Sequence, residues 1–189
     1  LSPEAGSFRV ESEPFLSGDS ADFHPTDVIE DADGSLLVVD TGGWYKLCCP
    51  TSQLEKPAVT GAIYRIRRKA KPRPVDPRGL SIEWRGRKAS ELATLLADSR
   101  PAVAQRAVER LADLGAAEAV GQVLRSSDAS DVARLRAVWC LARIESEEAK
   151  AAVRTALGDP TAEVRQAAAH VAGLGRDAGY HAQPFDQPV

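Results

Sequence analysis

The sequence predicts an α+β chain whose two kinds of structure lie in separate segments: a small antiparallel β-sheet first, and an α/α solenoid after it. Residues 35–40 are a run of β-favouring side chains bounded by turn residues, and residues 61–67 alternate apolar and basic side chains. From Ser90 onward, apolar residues recur at helical spacing, and the pattern repeats about every thirty residues. Because the strand signals end before the helical signals begin, the two parts are predicted to be separate domains.

Three antiparallel strands are predicted between residues 23 and 69. Val28 and Ile29 form a short apolar pair, and Asp33-Gly34 is a signal for a tight turn into the second strand. About twenty residues separate the second strand from the third, which is long for a hairpin loop. Loops of that length are usually either functional or disordered.

This long loop is the candidate binding or redox segment, and its members are Trp44, Tyr45, Lys46, Cys48 and Cys49. Aromatic side chains with a polar group suit a sugar or a partner surface, although we favour a loop that buries its own aromatics. The adjacent cysteines are interpreted as loop thiols or small packing residues. A strained vicinal disulfide and metal ligation remain as alternatives, although zinc sites use a wider cysteine spacing.

The strings FHPTDV, DADGSLLVVDTGGWYKLCCPTSQL and GAIYRIRRK carry a resemblance to a known family. They resemble the PVC-type membrane-bound dehydrogenase family of planctomycete-like bacteria, and are similar to blades of NHL-type and quinoprotein sugar-dehydrogenase-like propellers. The resemblance implies that residues 1–70 are the carboxy-terminal blade of a larger propeller protein. It also implies a periplasmic or cell-envelope location and a parent protein that uses a quinone or haem c, with no cofactor in this chain.

Residues 71–88 are predicted to form a stiff, basic linker, because Pro72, Pro74 and Pro77 each restrict the backbone. Its arginines and lysines are compatible with phosphate binding, but a solvated linker is the favoured interpretation. Leu80, Ile82 and Trp84 alternate with polar residues, and all three are expected to dock on a flanking domain. The predicted boundaries are therefore 1–70 for the blade-like segment, 71–88 for the linker and 89–189 for the helical repeats.

Six helices are predicted after the linker, with two helices in each repeat. Corresponding apolar positions lie thirty residues apart in three sets: Leu111, Leu141 and Val171; Ala107, Ala137 and Ala167; Leu114, Ile144 and Leu174. Val123 and Val153 repeat at the same interval on the alternate helices, and Cys140 is expected in the core. The string DPTAEVRQAA at residues 159–168 resembles the short bacterial form of the HEAT repeat. Asp159 and Pro160 are expected to begin the last helix, and Gly115 and Gly175 to end helices.

Composition and motifs argue against several classes of function. The net charge of −3 predicts no general attraction to nucleic acid or membranes, and there is no apolar run long enough to span a membrane. No signal peptide is recognised, and the lack of Met suggests a fragment or a processed chain. The motifs CxxCH, GxSxG and HExxH are absent, as is a P-loop.

The isolated histidines and the acidic cluster are interpreted as structural. His24, His170 and His181 have no metal-ligand spacing, so no metal site is predicted and the catalytic residues remain unknown. The carboxylates near the first two strands suit either calcium or turns, and turns are favoured; they are Asp27, Asp31, Asp33 and Asp40.

The first functional hypothesis is therefore a protein-interaction or scaffolding module that binds a protein partner through the helical repeats. The alternative is part of a quinoprotein-like sugar or alcohol dehydrogenase whose catalytic propeller lies mostly outside this chain. No complete catalytic site is recognised, so enzymatic activity stays open.

Overall fold

The computed structural model describes residues 2–4, 7–20, 22–42, 58–69 and 72–174. By the contacts within the chain it divides into two compact units, Leu1–Lys71 and Pro72–Val189. The division separates the predicted β-segment from the predicted helices, which confirms the α+β class with its two parts in separate segments.

The first unit contains a hairpin and a three-stranded sheet, both antiparallel. Strands β1 (Ser2–Glu4) and β2 (Ser7–Arg9) form the hairpin. Strands β3 (Pro25–Glu30), β4 (Leu36–Asp40) and β5 (Ala62–Ile66) form the sheet in the order β3-β4-β5. The sheet has the predicted strands and order, whereas the hairpin was not predicted, since its strands of three residues are too short to show alternation.

The turn between β3 and β4 lies where Asp33-Gly34 predicted it. The backbone N–H of Gly34 donates to the carbonyl of Asp31 over 2.8 Å, and the N–H of Asp31 donates to the carbonyl of Ser35 over 2.8 Å. Gly34 has a φ of +75°, a conformation that glycine adopts without the strain a side chain would add.

Apolar and aromatic side chains are exposed on both faces of the sheet. Val38 lies opposite Val28 and Tyr64, and it is only 3% exposed. On the other face, Ile29 and Ile63 are 51% and 70% exposed. Val28 and Tyr64, on the same face as Val38, are 57% and 46% exposed, so the described residues leave apolar surface open on both faces.

The second unit is built from three helix pairs. The helices are α1 (Ala89–Thr94), α2 (Pro101–Asp113), α3 (Ala117–Arg125), α4 (Asp131–Leu141), α5 (Glu147–Ala156) and α6 (Ala162–Leu174), with a 3₁₀ turn at Leu95–Ala97 after α1. The odd-numbered helices pack in one row and the even-numbered helices in another, with α3 between α1 and α5 and α4 between α2 and α6. This is the predicted α/α solenoid, in which each pair contacts its neighbours.

The thirty-residue period describes the even-numbered helices. Ala107, Ala137 and Ala167 are all buried at that interval, as are Leu111 and Leu141. Cys140 is also fully buried, as predicted.

The odd-numbered helices keep a different interval. The buried positions Ala117 and Val120 of α3 correspond to Ala149 and Ala152 of α5, thirty-two residues later. Val123 is accordingly half-buried whereas Val153 is buried. The period of one helix row therefore does not apply to the other row. The two periods can differ because the loops between the helices differ in length.

Side-chain or glycine caps are present at the starts of α4 and α5 and at the end of α2. Ser130 and Ser146 accept the N–H groups of Ala133 and Ala149 at the starts of α4 and α5. Gly115, at φ +60°, ends α2 as predicted, whereas Gly175 lies outside the described residues. Helix α6 begins at Ala162, two residues after the predicted start, because the carboxylate of Asp159 accepts the N–H of Thr161 and holds residues 159–161 outside the helix.

Residues 72–88 pack against the first helix pair. Trp84 is 7% exposed, and its Nε1 donates to the carbonyl of Gly79 over 2.9 Å. Gly79 has a φ of +63°, and a Cβ there would lie 2.7 Å from Val103 of α2. Ile82 packs on the same core, while Leu80 is 77% exposed. The sequence predicted docking for all three of the alternating apolar residues, and it occurs for two.

Candidate functional site

The candidate site is an exposed, partly apolar surface on α4 and α6, here called the Trp139 face and defined by Val132, Leu135, Trp139 and His170. Trp139 is 41% exposed and Val132 is 52% exposed, while Leu135 is half-buried. The imidazole of His170 lies edge-on to the indole, with ring centroids 5.8 Å apart. Exposed aromatic side chains held by a neighbour are typical of protein-binding surfaces.

Corresponding positions of the other two even-numbered helices show that this face is particular to α4. Thirty residues before Leu135, Trp139 and Arg143, helix α2 carries Gln105, Glu109 and Asp113. Thirty residues after them, helix α6 carries Arg165, Ala169 and Gly173. The solenoid therefore presents a polar, acidic first helix, an apolar and basic second helix, and a third helix with two small residues.

Two arginines flank Trp139, one turn before it and one turn after it. Arg136 donates from Nη1 to the carbonyl oxygens of Leu96 and Asp98 over 2.7 and 2.9 Å. These bonds hold its guanidinium at the side of α4 that faces the first helix pair. Arg143 is exposed and lies near Cys140, where its charge favours the thiolate.

The surface of α6 beside the Trp139 face is formed by small residues and is open. Gly173 is one turn beyond His170, and a Cβ built on Gly173 would have no heavy atom within 4 Å. Ala169, in the same region of the helix, is exposed and small. An extended segment lying against Trp139 would therefore meet open space on α6.

A buried arginine sets the position of α6 relative to α4. Arg134 of α4 is 8% exposed; its Nε donates to Asp159 over 2.8 Å and its Nη2 donates to Asp131 over 2.7 Å. Nη2 also donates to the Thr161 hydroxyl over 3.0 Å. The hydrogen bond to the Asp159 carboxylate raises the pKa of Arg134, against the effect of burial. This network fixes the loop before α6 and therefore the distance between the two helices of the site.

The loop residues predicted as a binding or redox site, Trp44, Tyr45, Lys46, Cys48 and Cys49, lie outside the described residues. The oxidation state of Cys48 and Cys49 therefore stays a prediction. A peptide containing both residues, from non-reduced protein, should be two hydrogens lighter than the dithiol if they form a vicinal disulfide.

The acidic side chains of the first unit form ion pairs with an arginine and accept hydrogen bonds from residues of the turn. Arg65 Nη1 lies 2.6 Å from Asp31 and 3.5 Å from Asp33. The hydroxyl and N–H of Ser35 donate to Asp33 and hold the pKa of that carboxyl below its usual value of 3.8. Asp27 bonds the N–H of Val28. These contacts agree with the favoured interpretation as turn formers.

Asp40 at the end of β4 is a buried structural carboxylate. It accepts the N–H groups of Gly42 and His24 over 2.9 and 3.0 Å, and these bonds lower its pKa from 3.8. His24 is thus bonded to Asp40 through its backbone, and His181 lies outside the described residues.

Other chemistry in the described part of the chain is limited. Among residues 2–4, 7–20, 22–42, 58–69 and 72–174, no group of three or more His, Cys, Asp or Glu is arranged to hold a metal ion. Over those same residues, no helix has the length and hydropathy needed to cross a bilayer. Burial raises the pKa of the Cys140 thiol to about 11, so that this cysteine is a weak nucleophile.

Sequence reasoning missed the Trp139 face. Trp139 lies inside a strongly apolar helix, and His170 was interpreted as structural because it has no metal-ligand spacing. The thirty-residue register contained a usable signal, since Trp139 falls where the preceding repeat has Glu109 and where a solvent-facing residue is therefore expected.

Comparison with protein families finds a similarity over the second and third helix pairs. Residues 117–179 match the family model for HEAT repeats. The match begins at the first residue of α3 and continues past the end of α6, so it includes both helices that form the Trp139 face. No match to the chain is found among curated proteins or among solved structures.

The HEAT-repeat match leaves out α1 and α2, although they extend the same two helix rows. Helix α2 has Ala104 at the position of Arg134 in α4, so the first pair lacks the arginine that bridges α4 to the next loop. The first pair instead uses Arg100, which pairs with Asp98 over 2.7 Å and bonds the carbonyl of Asp76 in the preceding segment.

Proposed function

We propose that the helical unit is a protein-interaction or scaffolding module and that the Trp139 face is where it binds its partner. The observation that carries the proposal is the exposed indole of Trp139, held against His170 on two neighbouring HEAT-repeat helices. A solenoid presents an extended surface across successive repeats, and binding energy at such surfaces is concentrated in a few aromatic and arginine side chains.

The rest of the helical unit supports a structural scaffold beneath this face. Its large apolar side chains are mostly buried in one continuous core running from Trp84 to Ala168. The buried network around Arg134 fixes α4 against α6, so that Trp139 and His170 keep their spacing. A preorganised surface loses less conformational entropy when a partner binds.

The test uses the purified full chain as a photo-crosslinking bait, with the captured protein identified, purified and titrated directly. Trp139→Ala is expected to weaken the affinity for that partner by at least about tenfold, roughly 1.4 kcal/mol. Leu114→Ala is the matched control, because Leu114 is also apolar and 52% exposed but lies at the end of α2. Equal affinity of the Trp139→Ala variant and the unaltered chain would contradict the proposal.

A second candidate function concerns the protein to which this chain would belong. The three-stranded antiparallel sheet, with exposed apolar residues on both faces, supports a role as one blade of a propeller in a dehydrogenase-like protein. Under this proposal the parent is a periplasmic or cell-envelope protein, with a quinone or haem c held outside the present residues.

The second candidate is tested by sequencing the gene upstream of the codon for Leu1. Further blade-like repeats, each with an Asp-Gly turn between two apolar strands, would support it. A different kind of domain encoded there would leave the interaction module as the remaining proposal.

A further inference from the structure

We draw no further inference here: the strongest candidate, the largely apolar cleft between the ends of α4 and α6 and the start of α5, carries none because nothing in the structure shows what covers it.

Discussion

Leu141 illustrates how a single apolar residue secures the helical unit. Its side chain is 2% exposed at the end of α4, in the continuous core shared by all three helix pairs. Leu141→Ala should lower the free energy of unfolding by roughly 2–5 kcal/mol, because it removes buried methyl groups and leaves a cavity. Chemical denaturation measures the change, and Leu114→Ala, at an exposed position just after α2, should change it by less than about 0.5 kcal/mol. Similar values for the two variants would show that the register is misplaced.

Arg134 shows the opposite case of a charged residue inside the repeat. The corresponding positions are Ala104 in α2 and Val164 in α6, both buried, whereas Arg134 pairs with Asp159 with side chains only 9% and 4% exposed. Removing one partner of a buried pair leaves the other charge without compensation. Arg134→Ala and Asp159→Ala should each cost roughly 3–5 kcal/mol. The double variant should lose clearly less unfolding free energy than the sum of the two single losses. A double-mutant cycle measured by urea denaturation tests this, and additive losses would contradict a direct coupling.

At the scale of elements, residues 72–88 act as an end cap for the first helix pair. Trp84 packs on the core, Arg106 of α2 stacks over its ring at 4.5 Å, and Gly79 accepts the indole N–H. Trp84→Ala should lower the unfolding free energy by roughly 3–5 kcal/mol, since it removes a large buried aromatic residue. Leu80→Ala, on the exposed side of the same segment, is the control and should have little effect. If Trp84→Ala and Leu80→Ala change the unfolding free energy equally little, the segment does not cap the core.

Asp76 in this cap and Asp98 beside it make the free energy of unfolding depend on pH in the acid range. Hydrogen bonds from Ser81 lower the pKa of Asp76, and hydrogen bonds and charge from Arg100 lower the pKa of Asp98, both from 3.8. Because the folded values lie below the unfolded ones, the stabilisation is fully present above 3.8 and is lost as the pH falls through the folded values. Denaturation midpoints should therefore decrease below that pH. Asp98→Asn should make the free energy of unfolding depend less steeply on pH in this range. An unchanged pH dependence would show that Asp98 does not contribute to it.

At the scale of the whole molecule, the two units differ in how much core each contains. Residues 72–174 hold three packed helix pairs and their cap, so this segment alone should be helical and unfold cooperatively. Residues 1–71 should not fold stably alone, because a three-stranded sheet with apolar side chains exposed on both faces has unpaired edges and an incomplete core. Circular dichroism of each fragment during thermal unfolding tests both statements, and a cooperative β transition for residues 1–71 would contradict the second.

The sequence by itself determined most of the local structure of this protein, the β1–β2 hairpin excepted. Alternation and an Asp-Gly turn were enough for the three strands, and apolar spacing was enough for the six helices, since each signal comes from residues that are neighbours along the chain. The thirty-residue period placed Ala107, Ala137 and Ala167 in the core, because repeated helices bury repeated positions. The row of even-numbered helices could also be recognised from this period.

Only the tertiary structure decided which polar and aromatic residues lie together. Trp139 and His170 come from different helices, and Arg134 meets Asp159 across a loop, so no local pattern predicts either contact. Trp84 was assigned to a linker, yet it is buried because Gly79 allows the chain to turn back onto α2. Short-range signals report the preference of a segment, whereas burial and the composition of a surface depend on what packs against it, and that is determined when the helices assemble.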